Sequence, residues 1–424
     1  MNQQHQTLQA SSTRRDSDAP RRARQTFDND RMVEPDDLFS RVKPHFPAAG
    51  ITRVAEVTHL DRIGIPVALA VRPNSRSLSV SQGKGLRRGQ AVLSAVMEAL
   101  ELAAAERLPA GLRRAALQAT DRHDTLDLEA STRCRLDRIR RDEEVLWAEG
   151  YALGSDRRVL VPWSLVGVDY RESPDGFHAA FQVSTDGLAS GAREDDAILH
   201  GLCELIERDA IALMTFMSNG ELENRVYPVD DEDGPDVMSM RSAVEAAGCT
   251  LNVIDMTSDV GVPAFTAIIS DPVEEGAHVT KYAHSGGSAC HPVRQRALEK
   301  AIVEAAQSRI TRITGSRDDL PASTYAAADD ADRQAVAGLL SFSRSGRQRR
   351  RLTCAFGDTP GENVAILLER LKERGIDEAV VVPIANPFGI SVLRVVVPGL
   401  QTELTGQRSK LGRRALTKLI TRLQ

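Results

Sequence analysis

The chain has 424 residues, of which 42% are hydrophobic, 27% charged and 4% aromatic, with a formal net charge of −5. Such a chain can bury a large core, and its length alone leaves room for two or three domains. The charge argues against a strongly basic nucleic-acid binder, and the few aromatics leave little for stacking on single strands.

Residues 1–30 are polar and rich in Arg, Ser, Gln and Asp, too poor in apolar surface to offset the entropy of ordering, so a disordered tail is expected. They lack the apolar run of a secretory signal, and Asp16 and Asp18 argue against a transit peptide. From about 50 to 400 the chain reads as one α/β body. Short β-branched runs bounded by turn residues predict strands at 66–71, 78–80, 159–162, 251–255, 264–269, 379–383 and 392–398. Apolar residues at three- and four-residue spacing predict helices at 89–107, 195–218, 236–247, 292–314, 331–340 and 363–373. Basic stretches at 344–351 and 408–418 read as solvated faces. No run of about 18 apolar residues occurs, so no membrane span is expected. Cys134, Cys203, Cys249, Cys290 and Cys354 are scattered without metal-ligand spacing, which suggests free thiols in a reducing cytoplasm and no structural zinc.

Three of the predicted helices carry related polar pairs: Glu98 and Glu101 in SAVMEALELA, Glu204 and Glu207 in HGLCELIERDA, Glu304 and Gln307 in EKAIVEAAQSR. Residues three apart share a helix face. The surrounding positions are apolar nearly all round, so these helices should be largely buried, and a buried carboxylate needs a partner. One such pair is ordinarily a solvated face. Three in apolar helices point instead to a shared divalent cation, and oxygen-only ligands suit magnesium or calcium. Magnesium held beside a nucleotide implies phosphoryl transfer, with Arg208, Lys300 and Arg309 as cations for the phosphates. No Walker motif, kinase signature or Ser-His-Asp set occurs; Gly83-Lys84-Gly85 is too short for a phosphate loop. His200, His284 and His291 read as structural or surface histidines.

The runs GIPVALAVRP (64–73), GKGL (83–86), SAVMEALE (94–101), STDGLASG (184–191), AILHGLCELIERDA (197–210), HPVRQRALEKAIVEAAQSR (291–309) and GSRDDL (315–320) resemble the YcaO family, in an order that fits from about 31 to 400. The resemblance implies an α/β (α+β) fold with mixed sheets, whose acidic helices converge on an ATP and magnesium site. It implies a catalytic domain at 31–400 and a basic, helical tail at 401–424. Metal-binding acids would be Glu98, Glu101, Glu204, Glu207 and Glu304. ATP-binding positions would be Arg31, Ser94, Glu101, Asp196, Glu207, Arg208, Lys300 and Gln307. No catalytic residue is assigned.

Some positions depart from the family pattern. Lys300 replaces an arginine, keeping the charge and losing bidentate phosphate contact. Ala192 replaces an asparagine, Asp186 stands within STDG where STNG is usual, and Leu38 falls where a serine would. The family's chemistry is activation of a backbone amide: a nucleophile adds to the carbonyl carbon, the oxyanion takes the γ-phosphoryl group of ATP, and phosphate leaves. The absence of a terminal PxPxP, and the runs from 50 to 67 and through SRITRITGSRDDL, resemble the TfuA-associated subgroup. That implies thioamide formation on a peptide or protein substrate, a TfuA-like partner and a separate sulfide donor. An azoline-forming cyclodehydratase and a non-catalytic peptide-binding scaffold are the alternatives. A cytoplasmic location and a homodimer accord with the resemblance; neither nucleic acid nor membrane is an expected partner.

Overall fold

The structure is a computed structural model and describes residues 33–155, 157–172, 174–272, 284–317, 354–402 and 410–423. The N-terminal tail, Arg31, the predicted helix at 331–340, the basic stretch at 344–351 and the end of GSRDDL lie outside the described residues. In chain order the elements are α1 (Pro35–Val42), α2 (Phe46–Ala49), β1 (Arg53–Glu56), β2 (Val67–Val71), β3 (Val80–Lys84), α3 (Arg88–Ala105), β4 (Arg113–Ala116), β5 (Glu144–Ala152), β6 (Arg158–Pro162) and α4 (Trp163–Val166). They continue with β7 (Leu188–Gly191), α5 (Glu194–Met214), α6 (Asn219–Glu223), α7 (Pro235–Ala246), β8 (Thr250–Asp255), β9 (Ala264–Ser270), β10 (His284–Cys290) and α8 (Arg294–Thr314). The last are α9 (Pro360–Lys372), β11 (Val380–Pro383), β12 (Ser391–Val396) and α10 (Arg413–Leu423). Among the described residues no helix is long and apolar enough to cross a membrane, and all five cysteines are free and buried.

The strands form three sheets, in orders β1-β2-β3, β10-β9-β8 and β4-β5-β11-β12-β7, with β6 on β5. Helices and several sheets combine as expected for the α/β (α+β) class. Within each sheet the pairing is antiparallel; the parallel contact among the described residues is an isolated bridge between Thr125 and Leu160. Each acidic helix packs on a different sheet. The α3 residues Ala95, Ala99 and Leu100 share a core with Ala68 and Trp147. The α5 residues Leu202 and Ile206 pack with Val381, Leu393 and Val395. The α8 residues Ala301, Ile302 and Ala305 pack with Val253, Phe265 and Ala267. Full burial of each large aliphatic side chain contributes about 1.5–3 kcal/mol, so each helix face is fixed by its own core.

Local chemistry sets where these helices begin and end. Gln90 accepts hydrogen bonds from the backbone N–H of Leu86 and Arg87, both at 3.1 Å, at the start of α3. Asp196 does the same for Arg193 N–H at 3.1 Å in the first turn of α5, using donors that the helix cannot satisfy itself. Gly315 closes α8 in the left-handed region, φ 57°, where glycine carries no Cβ penalty.

Candidate active site

Three strand–helix units make the site. β3 runs into α3 across residues 85–87, β7 into α5 across 192–193, and β10 into α8 across 291–293. In all three a strand glycine lies against the helix backbone, most tightly in the first and the third. A Cβ on Gly83 would lie 2.1 Å from the backbone oxygen of Ala91 and from the nitrogen of Ala95; on Gly287 it would lie 2.1 Å from the nitrogen of Ala305. No real Cβ survives such contacts, so side chains at these positions are excluded by packing. The STDG loop ends in Gly187 at φ 73°. Its carbonyl accepts from Val395 N–H at 2.7 Å, and its own N–H donates to Glu204 Oε2 at 3.1 Å. Gln82 N–H donates to Glu98 Oε2 at the same distance. Thus the first acid of each E-x-x-E pair is held by the backbone of the strand or loop before its helix.

The five carboxylates border one cavity of about 690 Å³, within the range of small-molecule sites. Its wall includes every predicted site residue within the described span: Ser94, Glu98, Glu101, Asp196, Glu204, Glu207, Arg208, Lys300, Glu304 and Gln307. Leu38 and Ala192, where the chain departs from the family pattern, line it too. Arg309 does not join them: it pairs with buried Asp61 at 3.0 Å and with half-buried Asp271 at 2.6 Å, both outside the cavity. Gln307 lies at the wall, but its amide donates to the carbonyl of Gln82 at 3.1 Å, tying α8 to β3. His200 and His291, read as structural from sequence, also line the cavity.

The electrostatics are those of an undercompensated acid cluster. Burial pushes Glu98 up to about 7, and Lys84 offsets this only in part. Burial likewise pushes Glu204 up to about 7 against the pull of Arg208. Glu101 is held well above the usual carboxylate range by burial, despite a hydrogen bond from Ser190. Glu207 is raised by burial and then by the charge of Glu304. Arg208 stands 3.5 Å from Asp186 and 3.6 Å from both Glu204 and Glu207; burial opposes its charge, yet these acids hold the guanidinium firmly protonated.

Hard oxygen donors that the chain does not neutralise by itself fit a divalent cation. Among the described residues no three Asp, Glu, His or Cys side chains converge into a complete protein-built metal shell. Separate acid pairs suit magnesium, which keeps water and phosphate oxygens and takes one or two carboxylates. Sequence reasoning missed Lys84, Gln82, Ser190, Arg312 and Arg317, all on the cavity wall. GKGL alone gives no sign of this place for Lys84, since the strand predicted at 78–80 stops short of it.

The family model of the YcaO cyclodehydratase, ATP- and Mg2+-binding, matches residues 82–401. The chain is 42% identical over 407 residues to an uncharacterized protein in the tfuA 3′ region of Rhizobium leguminosarum bv. trifolii, covering 92% of this chain and 93% of that one. It is 32% identical over 406 residues to an uncharacterized protein of Methanothermobacter thermautotrophicus, covering 90% and 97%. Its fold is shared with YcaO from Methanopyrus kandleri bound with AMPPCP and Mg2+, at TM-score 0.65 and 20% identity over 89% of this chain and 96% of that one. It is shared also with a heterocyclase in complex with substrate and cofactor, at TM-score 0.71 and 19% identity over 91% of this chain; the chain spans about half of that heterocyclase's length, 54%. The chain therefore belongs to the YcaO family of ATP- and Mg2+-binding, cyclodehydratase-type enzymes.

Proposed function

We propose that the chain uses ATP and magnesium to activate a backbone amide of a ribosomally made peptide or a protein, and installs a thioamide there with sulfide from a separate donor and a TfuA-like partner. The observation that carries the reading is the convergence of Glu98, Glu101, Glu204, Glu207 and Glu304, from three helices on three sheets, at one cavity wall. In this reading they hold magnesium, and Ser94, Asp196, Arg208, Lys300 and Gln307 face the nucleotide; Arg31 would join them from outside the described residues. Mg·ATP supplies the phosphoryl group that turns an amide oxygen into a phosphate leaving group. Sulfide adds to the carbonyl carbon, the oxyanion takes the γ-phosphoryl group with release of ADP, and departure of phosphate leaves C=S. Arg208 and Lys300 offer charge for the phosphates. The thioamide outcome is supported by the similarity to a protein in a tfuA 3′ region.

Titration with AMPPCP, with and without Mg2+, tests the site: binding that requires Mg2+ is expected. Incubation with a candidate precursor, ATP and sulfide then separates outcomes by mass, since replacement of oxygen by sulfur marks a thioamide and loss of water an azoline. A scaffold reading draws on Ala192 and Lys300, the two departures on the α5 and α8 sides of the cavity wall. Absence of nucleotide binding under both conditions would favour it.

A further inference from the structure

Lys84 is the last residue of β3. Gly83, just before it, is pressed against the backbone of α3, so the strand cannot drift from that helix. Its Nζ donates to Glu304 Oε2 of α8, and Glu207 of α5 and Glu98 of α3 line the same cavity. One ammonium therefore faces a cavity whose wall carries acids from all three helices. It is not sealed in place: its side chain is 29% exposed and that of Glu304 28%. A lysine is a compact point charge on a flexible stem, able to change partners, where a guanidinium fork would be committed to one geometry.

An ammonium among these acids and a divalent cation on the same acids repel each other at short range. We propose that Lys84 is an exchangeable counter-cation of the site: it stays paired with Glu304 until a metal–triphosphate complex takes the carboxylates of the cavity wall, and it then pairs with phosphate oxygens. The inference rests on the magnesium site proposed above. It couples metal entry to nucleotide entry, because the triphosphate gives the displaced ammonium a new partner while bare metal gives it none.

The coupling predicts opposite signs in one variant. In K84M, Mn2+ alone, followed by the electron paramagnetic resonance of free Mn2+, should bind about tenfold tighter or more than in the wild-type protein. AMPPCP with Mn2+ should bind about tenfold weaker, and K84R should recover nucleotide binding in part. Unchanged or weaker binding of Mn2+ alone by folded K84M overturns the exchange. A wild-type protein that takes no AMPPCP with Mn2+ at all would instead remove the underlying site assignment. Should K84M not fold, reductive 13C-methylation of the wild-type lysines, with K84R identifying the resonance, reads the same event. Mg2+ with AMPPCP should shift the Lys84 signal and Mg2+ alone should leave it in place; a signal unmoved by both overturns the proposal.

Discussion

Glu204 is held at 3.1 Å by Gly187 N–H and faces Arg208 at 3.6 Å, so its position is set by backbone while its charge is only half answered. Replacing Glu204 with Gln keeps the volume and deletes the charge. ATP turnover should fall at least about 100-fold, with the unfolding midpoint changed by the equivalent of about 1 kcal/mol or less; steady-state phosphate release and a thermal melt check both, and normal turnover would sink the metal assignment. Lys300 also stands on the cavity wall, and K300R restores a forked donor there. It should keep activity within about tenfold; complete loss would mean that α8 is out of phase with its family counterpart. At this scale the acids were legible because a carboxylate inside an apolar helix contradicts its surroundings. Lys84 was not, because a lysine at a strand end contradicts nothing until the fold places it against Glu304.

Elements differ in how openly they announce themselves. α3, α5 and α8 begin and end close to the predicted bounds because their apolar spacing runs unbroken for 18 to 21 residues. β7, LASG, and β10, HSGGSAC, have almost none of the β-branched residues that mark strands, since their small side chains serve the close approach of a helix. The strand predicted to end at Val80 instead begins there; Gln82 and Lys84 line the cavity and break the apolar run. β5, EVLWAEGYA, exposes Glu144 and Glu149 beside buried positions, a pattern that a search for apolar runs does not pick out. The glycines of β10 give a paired test. A Cβ on Gly287 would strike the α8 backbone, whereas nothing lies within 4 Å of one on Gly286. G287A should cost about 3 kcal/mol and G286A about 0.5 kcal/mol or less, measured by urea denaturation.

The whole molecule carries a pH signature of its half-buried acids. Glu98 and Glu204 titrate at about 7 in the folded chain, against about 4.3 for an unperturbed Glu. Between those values the folded state binds more protons than the unfolded one, so stability falls as pH rises. In EDTA the chain should therefore melt at a higher temperature at about pH 5.5 than at about pH 7.5. Saturating Mg2+ and AMPPCP, which need the ionised acids, should reverse the order. A metal-free chain whose midpoint rises from the lower to the higher pH would contradict the burial of these groups. Another whole-chain tie was invisible in sequence: Asp209, two residues past Glu207 and fully buried, receives two hydrogen bonds from Arg414 at 2.9 Å. That clamp fixes α10 to α5 through partners 205 positions apart, a separation no local pattern reports.

The two Cβ-free contacts, Gly83 on α3 and Gly287 on α8, divide the labour of the sequence. They set the angular phase of each helix by backbone against backbone, so the carboxylates keep their aim whatever hydrophobic mixture fills the layers behind them. Volume-conserving drift in those layers changes how firmly the chain folds and leaves the direction of its charges alone. Two lineages can thus share little of their interiors and still point the same acids at the same place, while a single added methyl at either glycine would turn a helix away from it.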